Sequence, residues 1–250
     1  YKHTMNELKR LSEFKKTLAD YHISQSSQRI LHKTKVVLLA APTSTGRNTI
    51  IRDLLKTNEY HYIISDTTRQ PRVNDGLPEQ DGMTYWFRTE TAMLADLKAG
   101  KFLEAAIIHS QQVSGISIRE LQHAHDEGKI AITDIEIVGV HTIMQAKPDV
   151  IALFILPPNF EEWQRRIKER GDMNPTEYRR RMQSAAREFR AALEQAYYTF
   201  VINDRVQNAV VRIHSIAQIG RDDPKQQARC RKLANQLYIK TEELVKTLKD

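Results

Sequence analysis

Apolar residues near the start of the chain return every three or four positions: Met5, Leu8, Leu11, Phe14, Leu18 and Tyr21. That spacing places them on one helix face, so residues 1–35 read as a helical extension with a break at Gln25-Ser26-Ser27-Gln28. The pattern then changes. Val36 to Ala41 is a continuous apolar run, as in a strand buried on both faces. A small-polar turn from Pro42 to Gly46 leads to Ile50, Ile51, Leu54 and Leu55 on one helical face. His61 to Ser65, Thr84 to Phe87, Phe102 to Ile108, Ile130 to Asp134, Val150 to Leu156 and Phe200 to Ile202 read as further strands.

Helices separate them. One near residues 90–99 stops at Gly100, and another runs from Ile118 to Glu127 with Ser117 as N-cap. Asn159 with Glu162, and Asn174 with Glu177, have the spacing of a capping box, and Pro175 suits a first helical position. The second of these helices is long, with Tyr178, Met182, Ala185, Phe189, Leu193 and Tyr197 on one face. A helix from Val206 to Ile219 follows, then an extension over 220–250 with Leu233, Leu237, Leu244 and Leu248 at heptad-like spacing. Strands alternating with helices over 36–219 predict a parallel α/β sheet with helices on both faces. The mixed block 67–117 interrupts that rhythm as an inserted lobe.

Composition narrows the class. Of 250 residues, 40% are hydrophobic and 28% charged, enough apolar content for a packed core. The formal charge of +7 favours anionic partners, nucleotides or nucleic acid, without choosing between them. A single cysteine, Cys230, excludes an internal disulfide and reads as an incidental thiol on a charged helix. No apolar run reaches the ~18–20 residues of a membrane span, and the first residues carry no apolar stretch. The expectation is a cytoplasmic protein with no membrane partner.

Candidate chemistry starts at the turn after the first strand: Ala41-Pro42-Thr43-Ser44-Thr45-Gly46-Arg47-Asn48-Thr49. It has the frame of the phosphate loop G-x-x-x-x-G-K-[ST], with Ala41, Arg47 and Asn48 at three signature positions. Ser65-Asp66-Thr67-Thr68-Arg69-Gln70-Pro71-Arg72 follows, then Glu79-Gln80-Asp81-Gly82 with Tyr85-Trp86-Phe87, then Phe102-Leu103-Glu104. In this order the chain resembles the guanylate kinase family: phosphate loop, S-x-T-T-R-x-P-R, E-x-x-G-x-x-Y-x-F and F-[IL]-E. The resemblance covers about residues 36–219 and leaves both extensions uncovered.

The resemblance implies a P-loop NTPase-like sheet, an inserted GMP-binding lobe over 67–117 and a lid over 166–181. It implies transfer of the γ-phosphate of ATP, with Mg2+, to GMP, a step of purine nucleotide metabolism. Residues 41–49 with Asn203 then bind ATP, although Asn203 also reads as a plain turn residue. Arg69, Arg72 and Tyr85 hold the acceptor phosphate by forked, charge-assisted bonds. Glu104 accepts from guanine's adjacent ring N–H and amino group, and Ser65 donates to its carbonyl. Asp134 and Glu136 are placed on the GMP side, although a strand-end Asp134 also reads as a cap of the next turn. Arg47 with the lid residues Arg166, Arg170 and Arg181 forms the catalytic set, since phosphoryl transfer rests on positioning and charge neutralisation. No metal is expected on protein side chains. His123 and His125, two apart on a helix, diverge and predict no metal pair.

Departures gather at two places. Arg47 is bulkier than lysine and Asn48 lacks a hydroxyl. Ser114-Gly115-Ile116 stands where the family has Y-G-[ST], and Asp75-Gly76-Leu77-Pro78 reads as a small insertion. The alternative to an enzyme is therefore a guanylate kinase-like binding module that holds GMP or a phosphorylated peptide. A nucleic-acid-binding protein has only the net charge in its favour. The apolar faces of the two extensions predict packing within the chain or a homo-oligomer.

Overall fold

The structure is a computed structural model that describes residues 7–74, 77–169, 171 and 173–248. Two helices open the chain, α1 (Leu11–Ala19) and α2 (Gln25–Lys33). Gln25–Gln28, expected to break the helix, is instead the first turn of α2. The Ser24 side chain accepts the Ser27 N–H at 3.2 Å, so the polar run caps a helix. Then come β1 (Val36–Ala40), α3 (Arg47–Leu55), β2 (Tyr60–Tyr62), β3 (Asp66–Thr67), β4 (Val73–Asn74), β5 (Leu77–Pro78) and β6 (Trp86–Phe87). They are followed by α4 (Glu90–Lys98), β7 (Phe102–Ile108), β8 (Gln112–Ser117), α5 (Ile118–Asp126), β9 (Ile130–Asp134), α6 (Ile137–Ala146) and β10 (Ile151–Leu156). The chain continues through α7 (Phe160–Glu169), α8 (Pro175–Glu194), β11 (Tyr198–Ile202), α9 (Val206–Ile219) and α10 (Pro224–Thr247). The strand expected over His61–Ser65 is split: it stops at Tyr62, and Asp66–Thr67 joins a different sheet. Of the expected insertion, Asp75 and Gly76 lie outside the described residues, while Leu77 and Pro78 pair with Asn74 and Val73.

A five-stranded sheet runs β11-β10-β1-β9-β2, and a four-stranded sheet runs β6-β3-β8-β7. β1, β10 and β11 pair in parallel, as their unbroken apolar runs predict. Contacts divide the chain into two compact units. One gathers the chain up to Lys35, Tyr60–Ala131 and Thr142–Pro148. The other gathers Val36–Glu59, Ile132–His141 and the chain from Asp149 onward. Among the described residues no helix is long and apolar enough to cross a membrane.

In the second unit the core centres on Phe154 of β10. Its ring meets Phe189 of α8 at 5.9 Å and Phe200 of β11 at 5.8 Å, and Trp163 of α7 meets Phe189 edge-on at 5.5 Å. Burial of each such ring contributes about 1.5–3 kcal/mol. β11 is an outer strand, and α10 covers it. The Gln227 amide does what a further strand would do: it donates to Phe200 O at 2.9 Å and accepts the Phe200 N–H at 2.8 Å. The inward face of α10 is Cys230, Ala234, Leu237 and Thr241, with Leu233, Leu244 and Leu248 at its flank. Cys230 remains a free thiol and is fully buried, because the helix turns its small residues toward α8.

The first unit repeats the device. β7 is the outer strand of its sheet, and Tyr21 Oη donates to Phe102 O at 2.6 Å and accepts the Phe102 N–H at 2.8 Å. Leu8 and Phe14 join Met93, Leu94, Leu97, Phe102 and Val113 in one buried cluster, with Leu11, Leu18 and Tyr21 against it. Both terminal extensions therefore pack within the chain, and each satisfies an edge strand that would otherwise offer unpaired backbone groups. Met5 lies outside the described residues.

Candidate active site

β1 delivers the chain into a loop with two left-handed residues, Ser44 at φ 61° and Gly46 at φ 89°. Such αL residues curl successive N–H groups into an anion-binding nest. Gly46 is the N-cap of α3 and brings no side-chain cap, so the first-turn N–H groups remain available to a ligand. The anchors of this loop take carbonyls. Pro42 O accepts from Thr45 Oγ1 at 3.1 Å, Thr43 O from Trp163 Nε1 at 2.8 Å and Thr45 O from Asn203 Nδ2 at 2.7 Å. A side chain at position 46 would meet Asn203 Nδ2 at 2.3 Å, so glycine is required there for contact as well as for φ. Ser44 Oγ is buried, with no hydrogen-bond partner among the described residues.

The loop walls an open cavity of about 1050 Å3, lined also by Glu136 to Val138, Arg166, Glu169, Ser184, Arg187, Glu188 and Asn203. Arg47 Nη2 pairs with Asp134 Oδ2 at 2.8 Å. Asp134 and Glu136, placed above on the acceptor side, thus stand in the unit of the loop, one against Arg47 and the other on the cavity wall. Arg166 lines the cavity, with Nη1 donating to Asn203 O at 3.2 Å and Nε to Glu162 Oε1 at 2.9 Å. Arg181 is held on its own helix by Glu177 at 2.8 Å and is not among the cavity-lining residues. Arg170 lies outside the described residues. Ser184, Arg187 and Glu188 belong to none of the motifs in the sequence. Their i, i+3, i+4 spacing marks a second face of α8 beside its apolar one. Burial pushes the Glu188 carboxyl up to about 7, reinforced by Glu136 and opposed by the Ser184 hydroxyl, Arg47 and Arg187.

The other candidates lie in the first unit. Arg69 is gripped by Glu79, with Nη1 to Oε2 at 2.5 Å and Nη2 to Oε1 at 2.8 Å, and its guanidinium lies 4.7 Å from the Tyr85 ring centroid. The Arg72 N–H donates to the same Glu79 carboxylate at 2.8 Å. The Arg69 hydrogen bonds hold the Glu79 carboxyl down at about 2. Glu79 therefore pre-sets the arginine that the motif supplies. Ser65 leads into β3, and its carbonyl accepts the Trp86 N–H at 2.9 Å. Asp66 is fully buried between Arg88, at 2.5 Å, and Arg119, at 2.9 Å. Burial raises the Asp66 carboxyl while both arginines pull it down.

Glu104 stands on β7 directly across from Ile116 of β8. Burial alone pushes its carboxyl up to about 7, and among the described residues no hydrogen bond or ion pair reaches it. The Ser114 hydroxyl donates to Thr67 Oγ1 at 2.9 Å, and Ser117 caps α5 by accepting the Arg119 N–H at 3.2 Å.

An anion nest at the end of a strand in a parallel sheet, with a large cavity beside it, is the arrangement of an α/β nucleotide-binding protein of the phosphotransfer class. A family model described as guanylate kinase matches residues 33–219. The chain is 34% identical over 186 residues to a guanylate kinase of Rickettsia typhi, across 74% of this chain and 91% of that protein. It is 30% identical over 190 residues to a guanylate kinase of Bifidobacterium longum, across 74% and 94%. A match to guanylate kinase 1 of Oryza sativa, at 33%, covers 41% of that longer protein. The crystal structure of guanylate kinase from Anaplasma phagocytophilum shares the fold, with a TM-score of 0.54 at 23% identity, over 76% of this chain and 88% of that one. The chain belongs to the guanylate kinase family, a class of nucleoside monophosphate kinases.

Proposed function

We propose that this protein transfers the γ-phosphoryl group of ATP to GMP, giving ADP and GDP. The observation that carries the acceptor assignment is Glu104, on β7 opposite Ile116: burial pushes its carboxyl up to about 7, and no donor among the described residues meets it. Guanine's ring N–H and amino group form a donor pair, and such a carboxylate accepts one bond on each of its two oxygens. Adenine has no such pair. Arg69, pre-set by Glu79 and Tyr85, and Arg72 bind the acceptor phosphate.

On the donor side the loop N–H groups hold the triphosphate, and the orphaned Ser44 hydroxyl adds a donor. Arg47, Arg166 and Arg187 neutralise charge as an acceptor phosphate oxygen bonds to the γ-phosphorus. The bond to the bridging oxygen breaks and ADP departs. Mg2+ fits the donor set: the amide oxygen of Asn48 and the carboxylates of Glu136 and Glu188 line the cavity, hard oxygens of the kind this ion prefers. Bound with ATP it would supply charge neutralisation at the phosphates.

A coupled assay of ADP release with GMP, AMP, CMP and UMP tests the reading. GMP is expected to be the preferred acceptor. GMP binding without turnover of any acceptor would leave a guanylate kinase-like binding module, and equal turnover of AMP would remove the role of Glu104.

A further inference from the structure

Away from the nucleotide residues, β2 and α5 bring three metal-ligating side chains together. His61 Nε2 lies 3.3 Å from Glu120 Oε2, and His123 Nδ1 lies 3.9 Å from Glu120 Oε1. One ligand atom from each of the three falls within 4.8 Å of the others. Ligands about 2.0–2.1 Å from a tetrahedral zinc ion stand roughly 3.4 Å from one another. The His61–Glu120 pair already has that separation, and the half-exposed His123 stands beside both, its ring edge-on to His61 with centroids 6.1 Å apart.

The surroundings are those of an oriented site. Glu120 is 1% exposed, and each of its oxygens has one fixed donor: the Ile64 N–H on Oε2 at 3.1 Å and Trp86 Nε1 on Oε1 at 2.9 Å. Each oxygen keeps a lone pair for a further partner. His61 turns its other nitrogen, Nδ1, toward Glu127 Oε2 at 3.5 Å, the carboxylate–histidine arrangement that orients an imidazole toward a metal. His123 therefore finds its partners in Glu120, one turn away, and His61, rather than in His125.

We propose that His61, Glu120 and His123 form a binding site for a divalent cation of the zinc class. Two imidazoles and one carboxylate select zinc, cobalt or nickel over magnesium. The ion would tie β2 to α5 where the chain passes through Ile64 toward β3. This assignment is independent of the acceptor and donor roles above.

The test uses the tag-free full chain, stripped with a chelator and titrated with Zn2+ in excess Mg2+. Binding is read by competition with a chromophoric chelator and by Trp86 emission. Visible absorption with Co2+ reports the coordination geometry. One equivalent of Zn2+ is expected. His123→Ala and His61→Ala should each weaken binding by about tenfold or more, and His125→Ala on the same helix should leave it unchanged. His123 is exposed, so its variant does not threaten the fold. Wild-type affinity in His123→Ala, or displacement of Zn2+ by Mg2+, would overturn the site.

Discussion

The donor loop and the acceptor lobe depart from their family's pattern in opposite ways. The loop carries Ala41, Arg47 and Asn48 at three signature positions, yet its backbone still forms a nest with αL residues at Ser44 and Gly46. The lobe keeps its arginines and its glutamate, and fixes them with side-chain partners such as Glu79. On the proposed assignment the loop would hold phosphate through backbone N–H groups, which most residue types provide. The lobe would hold it through guanidinium groups, which only arginine provides. A letter change in the loop therefore says less about binding than the same change in the lobe.

Arg47 is the exception within the loop, since its side chain carries charge to the cavity and Asp134 seats it. Arg47→Ala should lower kcat by about 10²–10³, the magnitude of losing one preorganised transition-state donor, with little change in the KM for GMP. Arg47→Lys keeps the charge but loses the fork, and should fall between parent and Arg47→Ala. Steady-state phosphorylation of GMP in the three proteins decides it. Equal rates would mean that the Arg47 side chain contributes nothing on the donor side and would leave that work to the backbone, Arg166 and Arg187.

On the acceptor side, Arg69→Ala removes a charge-assisted contact worth about 1.5–3 kcal/mol. GMP should bind roughly ten- to a hundredfold more weakly while guanosine is barely affected. Calorimetry with both ligands separates the phosphate role from a general loss of the lobe, which would weaken both equally.

Gly46→Ala probes the backbone side of the comparison. The added methyl would meet Asn203 Nδ2 at 2.3 Å from a backbone at φ 89°. Strain of this kind costs about 1–3 kcal/mol. Thermal unfolding should register that loss, and ATP affinity should drop with it. Ala41→Gly, one letter closer to the family motif, should leave ATP affinity unchanged and cost only about 0.4–1 kcal/mol of stability, because Ala41 has no left-handed φ for glycine to relieve.

Apolar period carried much of the fold: β1, β10, α8 and α9 stand where their runs predict, and Asn159 and Asn174 cap as their spacing predicts. Other elements were hidden by their own composition. β8 reads Gln112-Val113-Ser114-Gly115-Ile116-Ser117, where glycine and serines break the strand pattern, and its pairing with β7 supplies what propensity does not. α6 opens on Ile137-Val138-Gly139-Val140, residues with little preference for a helix. The site residues divide in the same way. Arg69 and Glu104 are legible from local motifs, whereas the bond from Asn203 to Thr45 spans 158 positions. The meeting of His61 with Glu120 spans 59. Partners that tertiary packing chooses leave no local spacing to read.

The smallest expected effect is the most specific to the lobe. Glu104 has its carboxyl raised to about 7 by burial, so it is protonated below that pH and charged above it. Only the carboxylate accepts from both guanine donors at once. Affinity for the base should therefore rise as pH increases from 6 to 8 and then level, by up to about tenfold per pH unit below the midpoint. The folding term runs the other way. A carboxyl raised above its unfolded value of 4.5 holds its proton longer in the folded protein, so stability falls as pH rises through 4.5 toward 7. A gain in affinity over that range cannot then come from a firmer fold. GMP confuses the measurement, because its phosphate ionises near pH 6. Guanosine has no such group and reports Glu104 alone. Glu104→Gln should flatten the guanosine profile and lower the preference for GMP over AMP by about tenfold, since an amide presents one acceptor and one donor to a pair of donors. If guanosine binds equally at pH 6 and pH 8 in the parent protein, the base is read by another group, and the lobe's specificity does not lie in Glu104.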